Sequence, residues 1–277
     1  MSTVTVGDVE LYYEEHGSGD PLLLIMGLAA DSTAWLFQLP AFSARHRTIV
    51  FDNRGVGRSA KPAGPYTIRQ MGDDAAGLLQ TLGIERAHVV GVSMGGMIAQ
   101  ELALQHPERV RSLVLACTFP EPDDEVRLGR ETSLTQLGGK VDADGKVTID
   151  LATIDPMMIF QTLLPKVFSP AFLMNQLPTL MQLFGGALQY GFSIEAILAQ
   201  VDAVMGHTAT GRLRDIEAPT LVLTGDSDLL IPPANSEILA RGIPGARLVK
   251  IAGGTHGFNF ETPELFNKEV LDFLAAH

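Results

Sequence analysis

The apolar positions change period several times along the chain, and the changes mark out its elements. Short runs rich in Val, Leu, Ile and Tyr at 4–6, 11–15 and 21–25 read as strands. Gly17-Ser18-Gly19-Asp20 supplies a turn between the last two, and the three are expected to be antiparallel. Beyond residue 44 strand and helix alternate. Residues 48–51 form a short apolar strand, and 67–82 repeat with helical period as far as Gly83. Strand 88–92, helix 95–106 (ending before Pro107) and strand 110–116 follow. This order predicts a mostly parallel sheet with helices on both faces, because parallel neighbours need a crossover and a helix makes it.

From 120 to 212 helical segments succeed one another with no convincing strand. Strand 220–224, helix 235–241, strand 246–251 and a last helix over 263–276 then resume the pattern. The expectation is a single α/β sheet built from 1–119 and 213–277, with 120–212 inserted after the sixth strand as a helical cap.

Composition narrows the partners. With 277 residues, 46% of them hydrophobic, the chain can bury a large core. A formal net charge of -12 makes the phosphate-neutralising surface of a nucleic-acid binder unexpected. The single cysteine, Cys117, closes an apolar run over 112–117 and reads as a buried core residue rather than a thiol nucleophile. The first ten residues carry neither a basic segment nor an apolar signal core, so a cytoplasmic location is expected. No metal-ligand cluster, phosphate loop or dinucleotide fingerprint is evident, and no cofactor is expected.

Gly91-Val92-Ser93-Met94-Gly95-Gly96 joins an apolar strand directly to a helix. In that context a G-x-S-x-G match holds its serine in a sharp turn, and side chains at the flanking glycines would collide with neighbouring chain. The helix that follows aims its free amides and dipole at the serine. Ser93 is thus the candidate nucleophile. A serine hydroxyl needs a base to take its proton. Of the seven histidines, His256 is best placed, in the loop Gly253-Gly254-Thr255-His256-Gly257-Phe258 that follows the last strand. His16, His46, His88 and His106 have plain structural readings, and His207 in the cap is a candidate for touching substrate. A carboxylate must fix the histidine tautomer. Asp228, after strand 220–224, is preferred to Asp226, which reads as capping the loop. Gly96 reads as a helix-packing residue.

A tetrahedral intermediate also needs donors for its oxyanion. The backbone N–H groups of Met94, just after the serine, and of Leu28, in the loop Met26-Gly27-Leu28-Ala29-Ala30, are the candidates.

These motifs resemble those of the α/β-hydrolases, and within them esterases and lactonases similar to 3-oxoadipate enol-lactonases and cofactor-free haloperoxidase-type hydrolases. The resemblance runs through Phe51-Asp52-Asn53-Arg54-Gly55-Val56-Gly57-Arg58-Ser59, Pro65-Tyr66-Thr67-Ile68, 91–96, His106-Pro107-Glu108-Arg109-Val110, Pro219-Thr220-Leu221-Val222 and the acid and histidine loops. The chain order Ser, Asp, His is that of this family. Many relatives carry His-Gly where this chain has Met26-Gly27, and enol-lactonase-like sequences also lack that histidine. The cap matches the lactonases only at Phe168-Ser169-Pro170-Ala171-Phe172.

Between 156 and 193 the only charged side chain is Lys166, amid many Met and Phe residues. Met158, Phe160, Phe168, Phe172 and Phe192 are candidates to line an apolar pocket over Ser93. Pro165, Pro170, Pro178 and Gly185-Gly186 interrupt the stretch, so it is not read as a membrane span. The expected partner is a small hydrophobic ester or lactone, and a homo-oligomer is compatible with the sequence. Two alternatives stay open: cleavage of a C–C bond or perhydrolysis by the same triad, and a triad-retaining small-molecule receptor or signalling protein. Haloalkane dehalogenase and epoxide hydrolase chemistry both need a carboxylate where Ser93 stands.

Overall fold

The computed structural model describes residues 2–141, 147–148, 156–176, 178–180, 190–191 and 193–277. Eight strands form the main sheet: β1 (Ser2–Val6), β2 (Val9–His16), β3 (Pro21–Ile25), β4 (Arg47–Phe51), β5 (Ala87–Val92), β6 (Val110–Ala116), β9 (Thr220–Gly225) and β10 (Arg247–Ile251), in the order β1-β2-β4-β3-β5-β6-β9-β10. Strands β7 (Lys140–Val141) and β8 (Val147–Thr148) make a separate antiparallel ribbon in the inserted segment. That ribbon corrects the expectation of an insertion free of strands. Each of its strands is two residues long, too short for a periodic signal.

The three opening strands are not all antiparallel. β1 pairs antiparallel with β2, and β2 with β4, but β3 lies between β4 and β5 and is parallel to both. The run Pro-Leu-Leu-Leu-Ile in β3 accounts for this placement. Leu22 and Leu24 point into one apolar cluster and Leu23 and Ile25 into the other, all four without exposed surface. A strand buried on both faces belongs in the middle of a parallel sheet, where each such side chain contributes about 2 kcal/mol.

Helices α2 (Ile68–Thr81) and α3 (Met94–Gln105) cover one face of the sheet, and α1 (Leu39–Ser43) and the last helix, α10 (Pro263–Leu274), the other. The start of α2 is fixed by Thr67, whose Oγ1 accepts the Gln70 amide at 3.0 Å, and Gly83 ends it with φ 66°.

After β6 the chain leaves the sheet and forms α4 (Asp124–Gln136), α5 (Pro156–Val167), α6 (Pro170–Asn175) and α7 (Ile194–Met205), then returns through β9 and α8 (Pro233–Gly242). Asp123, Ser169 and Ser193 cap α4, α6 and α7 with side-chain oxygens. This inserted segment packs against the loop after β10. The Gly257 amide donates to Val167 O at 2.8 Å, and Glu261, in the four-residue helix α9 (Phe258–Glu261), accepts the Ser169 amide at 2.7 Å and its hydroxyl at 2.8 Å. Among the described residues no helix is long and apolar enough to cross a membrane.

Candidate active site

Because β3, β5, β9 and β10 run parallel, the loops that leave their carboxyl ends share one edge of the sheet. The β5 loop is a single residue. Ser93 joins β5 to α3 with φ 57° and ψ -123°, a conformation that costs a residue with a Cβ and persists only where the surroundings over-determine it. Its amide donates to Ala116 O at 2.9 Å, tying the turn to β6. A Cβ on Gly91 would run into Gly95 O, and one on Gly95 into Ile25 O, so both glycines are sterically required. A Cβ on Gly96 would lie 2.7 Å from the Thr118 side chain, which makes Gly96 a packing residue.

The β3 loop presses on the serine: a Cβ on Gly27 would lie 3.0 Å from Ser93 Cβ and 3.5 Å from its Oγ. Asn53 Nδ2 donates to Met26 O at 2.9 Å and so holds the start of this loop. Leu28 and Met94 line one cavity with Ser93, and neither backbone amide has an acceptor among the described residues. Two unpaired N–H groups beside a serine are the arrangement that can receive an oxyanion.

His256 and Asp228 are both buried, with Nδ1 of the ring 2.8 Å from Oδ2 of the carboxylate. A carboxylate can only accept, so it holds the proton on Nδ1 and leaves Nε2 with a free lone pair. Asp228 Oδ1 accepts the amides of Leu230 and Ile231 at 2.9 and 2.8 Å. Asp226 Oδ1 instead accepts the Gly253 amide at 2.7 Å, stapling the β9 loop to the β10 loop. Cys117 is fully buried, and ligand-type atoms of Cys117, Asp228 and His256 lie within 4.8 Å of one another. Burial, and then the Asp228 carboxylate, push the thiol pKa well above its usual range. A protonated thiol is a poor metal ligand, and both Asp228 oxygens are engaged, so the donor set does not suit a metal ion.

Two cavities meet at Ser93. The smaller, about 240 Å³, also reaches His256 and is walled by Met26, Leu163, Leu164, Val167, Phe168 and Phe260. The larger, about 460 Å³, extends past Met97, Phe119, Leu134, Val201 and Met205. Leu28, Ala29, Leu163, Ile197 and Leu230 border both.

Phe168 is the one expected pocket residue that lines a cavity among those described. Phe172 stacks on Phe168 with ring centroids 5.1 Å apart and does not itself line either cavity. Met158 is on the exposed face of α5. Phe192 and the side chain of Phe160 lie outside the described residues. His207 lies away from both cavities, 3.7 Å from Glu101, and neither ring nitrogen has a hydrogen-bond partner among the described residues. Burial pushes its pKa down to about 4, so the ring is neutral and the contact is no ion pair; Arg212 is the cation that pairs with Glu101. Sequence reasoning missed Leu163, Val167, Phe260 and Ile197, whose only signal was apolar character. Lys166 of α5, which donates to Ser133 Oγ at 2.9 Å, and Arg130 of α4, paired with Asp202, both border the larger cavity.

Residues 20–263 match the family model described as alpha/beta hydrolase fold. The chain belongs to that family. Among the relatives of this α/β-hydrolase is a protein of Azorhizobium caulinodans assigned as carbamate hydrolase RutD, 34% identical over 267 residues that make up 96% of each chain. The enol-lactonase of Burkholderia xenovorans LB400 superposes with a TM-score of 0.85 at 28% identity, over 99% of this chain and 100% of the other. A thermophilic esterase of Thermogutta terrifontis gives 0.83 at 28% identity, over 100% and 99%.

Proposed function

We propose that this α/β-hydrolase cleaves a small carboxylic ester or lactone through an acyl-serine intermediate. The observation that carries the reading is Ser93, held at positive φ on the N-terminus of α3, sharing a cavity wall with a histidine whose other ring nitrogen is fixed by Asp228. Ser93 Oγ attacks the carbonyl carbon while His256 Nε2 takes its proton. Asp228 stabilises the imidazolium that results. The carbonyl oxygen, now negative, is received by the amides of Leu28 and Met94, each such donor being typically worth about 3 kcal/mol in the transition state. His256 returns the proton to the leaving alkoxide, the acyl–serine ester forms, and water repeats the sequence to release the acid.

The walls support an apolar substrate, since most of the side chains that border the smaller cavity are aliphatic or aromatic. Relatives named as a carbamate hydrolase, an enol-lactonase and an esterase support attack at an acyl carbon bearing a heteroatom leaving group.

A fluorophosphonate should label Ser93 stoichiometrically, and turnover of a p-nitrophenyl ester should vanish in Ser93→Ala. Labelling at another serine, or undiminished turnover by the variant, rejects the nucleophile. Stoichiometric labelling in a protein that turns over no ester of any chain length would instead favour a receptor.

A further inference from the structure

One cap residue reaches the loop that carries the Leu28 amide. Gln200, in α7, is completely buried, and its side-chain amide is used at both ends: Oε1 accepts the Ala29 amide at 3.0 Å, and Nε2 donates to Arg54 O at 2.8 Å. A backbone N–H needs an acceptor and a backbone C=O a donor, so only one orientation of the side chain satisfies both.

The frame behind this contact is rigid. Arg54 is itself buried, its guanidinium held by both oxygens of Asp74 at 2.6 and 2.7 Å and by Asp8 at 3.0 Å. Helix α7 approaches closely because small residues face one another: a Cβ on Gly55 would lie 3.3 Å from Ala196 Cβ, and one on Gly64 2.9 Å from Ala199 Cβ. The same turn of helix then delivers Gln200 to the β3 loop.

What Gln200 grips is the residue next to Leu28. Ala29 adopts φ 59°, unfavourable for a residue with a Cβ, and conformations of this kind persist where neighbours impose them. On its other side the loop is wedged against Ser93 at Gly27 and held by Asn53 at Met26. Asn53 belongs to the sheet portion; Gln200 is the hydrogen-bonding contact from the cap among the described residues.

We infer that Gln200 is a positioning residue, through which seating of the cap on the sheet sets the direction of the Leu28 amide and so assembles the oxyanion site. The inference rests on the acyl-serine reading. Its consequence is that the cap contributes to the chemical step as well as to the shape of the pocket: when α7 is seated, the Ala29 peptide is fixed and the amide before it aims at the reacting carbonyl oxygen. Loss of the contact leaves Ser93, His256 and Asp228 where they are. It should therefore weaken transition-state binding and spare the ground state.

The test compares the wild type with Gln200→Met, which keeps the length of the side chain and removes both hydrogen bonds, and Gln200→Glu, which keeps an acceptor for the Ala29 amide. For each, kcat and KM on a p-nitrophenyl ester, the inhibition constant of a trifluoromethyl ketone that forms a hemiketal oxyanion on Ser93, and that of the carboxylate product are measured. Gln200→Met should lower kcat by about 10-fold or more, since displacing a donor costs less than deleting one, with KM within about twofold. The trifluoromethyl ketone should weaken by the same factor as kcat/KM while the product binds as before, and Gln200→Glu should fall between Met and wild type. Unchanged kcat and ketone affinity in Gln200→Met overturns the proposal. So does an equal loss for ketone and product, which marks general damage to the cavity. Should Gln200→Met fail to fold, the same ratios are read from Gln200→Glu. Ser93→Ala is run in parallel: an active Ser93→Ala rejects the acyl-serine reading itself, whereas an inactive Ser93→Ala beside a fully active Gln200→Met rejects this inference alone.

Discussion

Asp228 meets His256 with one oxygen and its own loop with the other: Oδ2 lies 2.8 Å from Nδ1 of the ring, while Oδ1 accepts the Leu230 and Ile231 amides at 2.9 and 2.8 Å. The carboxylate is thus oriented by backbone before it orients the histidine. Asp226, two residues earlier, accepts the Gly253 amide at 2.7 Å and the Ser227 hydroxyl at 3.0 Å with its Oδ1.

This division of labour predicts a ranking. Asp228→Asn keeps an oxygen for the loop amides but turns an N–H₂ toward Nδ1, which favours the tautomer with the proton on Nε2 and leaves no base for the serine. Turnover should drop by a factor on the order of 10⁴ with little change in melting temperature. Asp226→Asn can still accept the Gly253 amide and should cost far less. Steady-state kinetics with thermal melts of both variants decide it, and a larger loss in Asp226→Asn would transfer the acid's role to that residue.

The cavity walls predict a dependence on chain length. Each methylene buried against them contributes about 0.8 kcal/mol, or roughly fourfold in kcat/KM if the gain is realised in the transition state. Across p-nitrophenyl acetate, butanoate and hexanoate the ratio should rise until a wall is met. A maximum at acetate contradicts an apolar pocket. A strong preference for small anionic lactones would turn attention to Lys166 and Arg130 at the border of the larger cavity.

Acid stability follows from two histidines outside the site. His88 is buried with Nδ1 2.7 Å from Ser112 Oγ, and burial, helped by the charge of Arg111, lowers its pKa from 6.5 to about 4. Burial lowers that of His207 to about 4 as well, against the opposing pull of Glu101. In the unfolded chain both bind a proton below about 6.5, whereas the folded protein refuses it until about pH 4. Unfolding therefore takes up protons across this window, and stability falls as the pH drops from 6.5 toward 4. By pH 5 the loss should reach about 2 kcal/mol for each histidine, before most carboxylates titrate. Urea unfolding at pH 7 and pH 5 measures it, and His207→Gln should reduce the difference. An identical urea midpoint at the two pH values would mean that these rings are not held neutral by burial.

Much of this molecule was readable from local pattern. Strands 21–25 and 110–116 were expected with the bounds observed, and helix α2 began one residue inside the expected range because Thr67 caps it instead of entering it. Ser93, Asp228 and His256 were legible for a related reason. Each follows a strand in a short loop marked by glycine, and three parallel strands necessarily present such loops on one edge.

What local pattern could not supply were relations between distant segments. Residues 21–25 look like the partner of the strand before them, yet β4 pairs between the two, because a strand buried on both faces gains most in the middle of the sheet. Phe172 and His207 are apolar or polarisable enough for a pocket, but Phe168 occupies the face of the first and Glu101 with Arg212 encloses the second. Gln200 carries no signal in a helix where a glutamine would ordinarily face water; only the packing of Ala196 and Ala199 on Gly55 and Gly64 brings it to Ala29 and Arg54. Period, turn chemistry and strand order along the chain are properties of neighbours in sequence, and the sequence by itself determined the family of fold and the edge where chemistry can occur. Which side chains wall the cavity, and which residue of the inserted segment holds the loop after β3, depend on contacts across 20 to 171 residues that exist only once the sheet has assembled and the inserted helices have packed on it.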